Sequence, residues 1–200
     1  MLIWYLARGA GISAFCMLSV ATAAGAVTSR RSTLLGRRLV LQYVHRAAAL
    51  TGLVLLALHI TTILADRYAG VGAAGALLPL ASGYRPVAVS FGVLAMYLLV
   101  GAVLTGLLRS RFARSETAQR RWRSIHLAGY LAWASAAWHF YTVGTDATEW
   151  WARLVLLAGI AAVAVGLLGR LTAPQPPAGR GDPAGATTGR REPVRIGAGR

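Results

Sequence analysis

The chain contains no lysine. All 21 of its basic residues are arginine, against only six acidic ones, giving a formal net charge of +15. Its single cysteine, Cys16, lies in an apolar run; no internal disulfide can form, and no thiolate cluster can hold a metal. A packed, inert thiol is expected. There is no G-x-G-x-x-G strand–turn–helix unit, so nothing in the sequence would accept hydride from a nicotinamide. Carboxylates are absent from the interiors of the apolar runs.

What is present is apolar. Of 200 residues, 56% are hydrophobic and the mean hydropathy is +0.55, too high for an ordinary soluble domain and fitting a single membrane-embedded one. A strongly basic chain can signal nucleic-acid binding. Here the arginines cluster in short loops between apolar runs and in the tail, so they read as topology and no nucleic-acid partner is expected. The all-arginine, Ala- and Gly-rich composition resembles that of a high-GC bacterial genome.

A hydrocarbon core of about 30 Å needs roughly 20 apolar residues per helix. Five stretches qualify: 2–27, 39–65, 86–108, 124–143 and 150–169. The expected fold is an all-α integral membrane protein, a five-helix transmembrane bundle occupying residues 1–172. Arg30, Arg31, Arg37 and Arg38 follow the first run, and Arg109, Arg111, Arg114, Arg120, Arg121 and Arg123 follow the third. The other loops carry Arg67, Arg85 and Arg153 beside Asp66, Asp146 and Glu149. The positive-inside rule therefore puts the N-terminus outside and the C-terminus in the cytoplasm of a cell membrane. The first run ends in ATAAGA, like a cleavage site, but its strongest positive charge follows the run, so a retained helix is expected. Residues 173–200, rich in Pro, Gly and Arg, read as a disordered basic cytoplasmic tail able to touch anionic lipid.

The four histidines all fall in the second and fourth runs. His45 and His59 are 14 residues apart, and His126 and His139 are 13 apart. The two runs point the same way, so His45 and His126 share the cytoplasmic level and His59 and His139 the outer one, about 20 Å away. Zinc wants four ligands, and no cysteine or carboxylate accompanies either pair. Haem iron held axially needs one imidazole from each of two helices. Fourteen residues return to nearly the same helix face, with Gly52 midway leaving room for macrocycle edges; thirteen turn about 220°, which side chains or a local irregularity must absorb.

These spacings, with LLPLASGYRPVAVSFGVLAMYLLVGAVLTGLLRSR and RRWRSIHLAGYLAWASAAWHFYTVGTD, give a chain that resembles the ferric reductase-like transmembrane domain over residues 35–170. That domain is the haem-bearing membrane part of ferric reductases and NADPH oxidases. The chain is also similar to the membrane haem subunit of the bacterial methionine sulfoxide reductase system. The resemblance implies haem b, two per chain or one as in some relatives, with iron held by His45 and His126 on the cytoplasmic side and by His59 and His139 on the outer side. It implies electrons from a flavoprotein or quinol, delivered to an extracytoplasmic acceptor. Family members commonly have six helices with the histidines on the third and fifth; here they are on the second and fourth. They also commonly continue into flavin- and nicotinamide-binding domains, which have no counterpart here.

Arg46 and Arg123, beside the inner histidines, are candidate partners for haem propionates; Arg67 and Arg85 are candidates outside. Trp138, Phe140 and Tyr43 suit an interfacial aromatic belt better than haem edges. The LLPLA stretch (77–81) would cap the outer haem or lie in the interface. The competing readings are a histidine proton relay or transporter without haem, and an assembly or sensor subunit.

Overall fold

The computed structural model describes residues 2–28, 35–112 and 115–172. Every regular element among them is helical. In chain order they are α1 (Leu2–Thr28), α2 (Leu35–Ala65), the short α3 (Gly72–Leu77), α4 (Pro86–Leu107), the single-turn α5 (Arg109–Phe112), α6 (Glu116–Val143) and α7 (Trp150–Leu171). The proposed tail at 173–200, and the loop arginines Arg30, Arg31 and Arg114, lie outside the described residues.

Four helices, α1, α2, α4 and α7, are long and apolar enough to cross a membrane. The fourth run of the sequence, by contrast, belongs to a longer and more polar helix. α6 spans 28 residues and starts eight positions before the apolar stretch, with the Ser115 hydroxyl accepting from the Ala118 N–H and Glu116 in its first turn. That side-chain cap and first-turn carboxylate satisfy and complement the exposed amides of a helix start. Arg120, Arg121 and Arg123 follow, all exposed. They lower the hydropathy of this helix below that of its four companions.

The packing has the polarity of a membrane protein. Alanine is the commonest buried residue, joined by a few glycines and serines and by Phe15, Leu18, Leu99 and three valines, and among the described residues no large side chain is completely buried. Leucines and valines such as Val54, Leu131 and Val165 stand on the outside. In lipid the outward face gains nothing from being polar, and small residues let backbones approach. α1 lies at the centre, against α2, α7 and α6, while α4 packs mainly on α6. α7 reaches α1 through Ala152, Gly159 and Gly166, buried at intervals of seven. A Cβ at Gly159 would stand 2.8 Å from Ser19 Oγ, and one at Gly166 3.0 Å from the Ala23 carbonyl.

Between α2 and α4 the chain is tied down by polar contacts. Tyr97 donates to the Leu77 carbonyl, the Leu80 N–H donates to Ser90 Oγ, and Arg85 reaches the Thr142 carbonyl at the end of α6. Residues 70–75, GVGAAG, have the G-x-G-x-x-G spacing, but they follow a helix and open only six helical residues, without the strand a dinucleotide site needs.

Replacing Gly159 by leucine should separate α1 from α7 and cost about 1–3 kcal/mol, whereas Gly9→Leu, at a position with no atom within 4 Å of a Cβ, should be nearly neutral. Thermal melts of the two variants in detergent check this.

Candidate functional site

Each of the four imidazoles meets a backbone carbonyl of a neighbouring helix. On α2, His45 Nδ1 lies 2.7 Å from the Ala21 oxygen and His59 Nδ1 2.7 Å from that of Ala7, both on α1. On α6, His126 Nδ1 lies 3.1 Å from the Ala102 oxygen and His139 Nδ1 3.0 Å from that of Ala88, both on α4. Partner numbers fall as histidine numbers rise, so each pair of helices is antiparallel.

At three of the four contacts glycine is what lets the ring approach, and at the fourth, His126, a Cβ would be in ordinary contact. In an α-helix the carbonyl of residue i already accepts from the N–H of residue i+4, so an outside donor must reach its second lone pair past the i+4 side chain. Gly11, Gly25, Gly92 and Gly106 each stand four residues after an acceptor alanine. A Cβ at Gly11 would lie 2.8 Å from the His59 ring, at Gly25 3.0 Å from His45, at Gly92 2.7 Å from His139 and at Gly106 3.5 Å from His126.

The arrangement is written twice. Residues 7–25 and 88–106 both read A-x3-G-x2-A-x3-L-x2-A-x3-G, offset by 81. His45 and His126 are also 81 apart, while His59 and His139 are 80 apart. The unequal histidine spacings are thus one residue lost from a common pattern. α6 is α-helical throughout, so its side chains, rather than a break in the helix, accommodate the thirteen-residue spacing.

A carbonyl can only accept, so each Nδ1 must carry the proton and each Nε2 keeps its lone pair. A donor bond from one ring nitrogen to a backbone carbonyl is how a metal-binding histidine is oriented and made more basic. His45 and His126 come together at one end, ring centroids 5.9 Å apart and planes at 73°. Two iron–nitrogen bonds of about 2 Å plus the half-widths of two imidazoles come to about 6 Å. At the other end His59 and His139 line one cavity of about 500 Å³, with Gly11, Gly52, Gly92, Phe15 and Phe140 also in its wall. That size lies inside the roughly 300–1,000 Å³ of cofactor pockets. Among the described residues no group of three or more His, Cys, Asp or Glu is placed to hold a metal. The sites are pairs, and an ion between two imidazoles would take its remaining ligands from a macrocycle.

Between the two levels lie Leu18, Leu99 and Ala132, with Phe15 stacked between Trp133 and Phe140 at 6.4 and 5.1 Å. Trp133 donates to Ser19 Oγ. Leu18 and Leu99 are the leucines of the two repeats.

Other sequence candidates fall elsewhere. Arg46, Arg123 and Arg67 are exposed, with no ion pair among the described residues. Arg85 is engaged by Thr142 and lies near the Tyr84 ring. The arginine in the wall of the His59–His139 cavity is Arg8, paired with Asp146 and set 3.9 Å over the Trp4 ring. It hid inside the first apolar run, where loop-based charge counting does not look. Gly52 lines the cavity, but its missing Cβ admits Met17 and Leu18 of α1. LLPLA contributes nothing to the cavity wall; residues from Asp66 to Val71, Ala76 and Tyr84 do, while Leu77, Leu78 and Leu80 face outward. Trp138 and Tyr43 are exposed, as an aromatic belt requires, whereas Phe140 turns inward.

In protein prepared without cofactor, ¹⁵N NMR of labelled histidine should show Nδ1 protonated and Nε2 bare at all four positions. An Nε2–H tautomer at any of them breaks that site's geometry. Comparison with known proteins finds no family model, no curated protein and no solved structure that matches this chain.

Proposed function

We propose that the chain is a transmembrane b-type cytochrome that carries electrons across a cell membrane through two haems, one held by His45 and His126 and the other by His59 and His139. The observation that supports it best is the pairing of four imidazoles at two levels, each held by an Nδ1 contact to a helix carbonyl. In this reading α6 is a fifth crossing helix, its polar start in water and its histidine-bearing half packed on α4 and α1. The N-terminus is outside, and the arginine-rich end, with Arg37, Arg38, Arg46, Arg109, Arg120, Arg121 and Arg123, faces the cytoplasm.

When bound, each haem supplies an Fe(III)/Fe(II) couple that changes by one electron without moving atoms far. The chain's own part is positional. His45 with His126, and His59 with His139, would hold the two haems, and delivery to ferric iron, oxygen or a partner protein would then be outer-sphere. The backbone carbonyls hold the ring planes, and Gly11, Gly25 and Gly92 keep the ring faces clear. Small residues on α1, α4 and α6 leave space for a flat group. The donor in this reading is a flavoprotein or quinol.

The carbonyl contacts weigh against a proton relay. Such a relay needs each imidazole to pass a proton from one ring nitrogen to the other along a chain of exchangeable groups. Here one nitrogen of every ring is tied to a backbone oxygen that has no proton to give.

The purified chain should carry two haems and show the sharp reduced α and β bands of low-spin b haem. His59→Ala and His139→Ala should each remove one haem and leave the other; unchanged haem content in both variants rules the assignment out. The near-perpendicular rings of His45 and His126 should give that haem a highly anisotropic ferric EPR signal. Protein without haem after expression in ample haem overturns the proposal.

A further inference from the structure

The two halves of the repeat differ at one place that bears on how electrons reach the inner site. One turn before His126 stands Trp122; one turn before His45 stands Leu41, 81 residues earlier. The Trp122 indole lies 5.2 Å from the His126 ring, nearly parallel at 15°. Its Nε1 donates to the Thr105 carbonyl at 2.9 Å, three residues beyond the carbonyl that holds His126. The Arg109 guanidinium lies 5.2 Å from the same indole. Trp122 is half-buried, while Arg109, Arg121 and Arg123 around it are exposed. Leucine suffices for packing at the equivalent place, so the tryptophan answers some other need. A conjugated ring locked flat against one iron ligand and reaching toward the surface shortens the insulating gap that an incoming electron must cross.

We propose that Trp122 is the point at which electrons come in: a reduced flavin donor with an anionic phosphate docks on Arg109 and its neighbours and passes electrons through the indole to His126 and the inner iron. The anionic donor follows from the exposed guanidinium of Arg109 over the ring and those of the chain neighbours Arg121 and Arg123, and the flat one from the half-exposed indole it would meet. Two successive one-electron transfers oxidise one dihydroflavin, release its two protons to water and reduce two Fe(III) to Fe(II); the indole ends unchanged. This inference rests on the haem reading above.

The test uses the full chain in detergent, loaded with haem. It is mixed without oxygen with photoreduced flavin mononucleotide while the reduced α band is followed. Trp122→Leu should keep its haem count and ferric EPR shape, since Leu41 shows that leucine is tolerated there. Its rate of reduction should fall by about an order of magnitude, and Trp122→Phe should recover most of it. In wild type the rate should drop with added salt, less so in Arg109→Gln. An unchanged rate in Trp122→Leu overturns the proposal. Loss of haem or a changed EPR shape in that variant also overturns it, in favour of a packing role. A wild-type chain that holds no haem overturns the cytochrome reading itself, and this inference with it.

Discussion

A histidine N–H donating to a helix carbonyl is the contact on which this molecule is organised. It is made four times, and each instance constrains two helices at once. The donor fixes the height and rotation of α2 or α6; the acceptor has a glycine one turn later on α1 or α4, which Gly11, Gly25 and Gly92 need because a Cβ there would strike the ring. A neutral hydrogen bond of this kind is worth only about 0.5–1.5 kcal/mol net, so it is not what holds the bundle together. Its value lies in direction. With Nδ1 committed, the lone pair is left on Nε2; His45 and His126 lie edge to face at one level, and His59 and His139 share a cavity at the other.

The rest of the fold keeps that space open. Alanine and glycine fill the interior, and the large aliphatic side chains are sent out toward lipid. A bundle packed with leucine inside would close over the ring pairs. Phe15 and Trp133 are exceptions, large rings placed between the two levels, where Leu18 and Leu99 also meet, with Phe140 stacked on Phe15 beside His139; three valines are buried as well. The rings separate the two sites and bridge them with conjugated groups. At the His59–His139 end Arg8 and Asp146 join α1 to the α6–α7 connection and finish the wall of the cavity, which residues between α2 and α4 also line.

Much of this was legible beforehand, because histidine is costly in an apolar run and therefore conspicuous. The positions and depths of His45, His59, His126 and His139 follow from counting residues. The acceptor side was not read, since alanine and glycine have no side-chain chemistry to notice. Its trace was nonetheless there, as A-x3-G repeated 14 residues later within one helix and again 81 residues on. Gly52, a small residue midway between His45 and His59, lines the cavity and also lets α1 approach. Arg8 was passed over because a charge inside a membrane run was not weighed as part of a site. LLPLA was read by its apolarity, but the contacts of Tyr97 with the Leu77 carbonyl and of Leu80 with Ser90 hold that segment outside the cavity wall.

The repeat has a further consequence. A hairpin made of α1 and α2 offers one imidazole at each of two levels and completes neither; only a second such hairpin, α4 with α6, supplies the missing partner. The two hairpins are nonetheless not interchangeable: one residue fewer separates His126 from His139 than His45 from His59, and a tryptophan stands one turn before His126 where leucine stands before His45. One pattern written twice with these differences gives the bundle two related halves and two distinguishable ends.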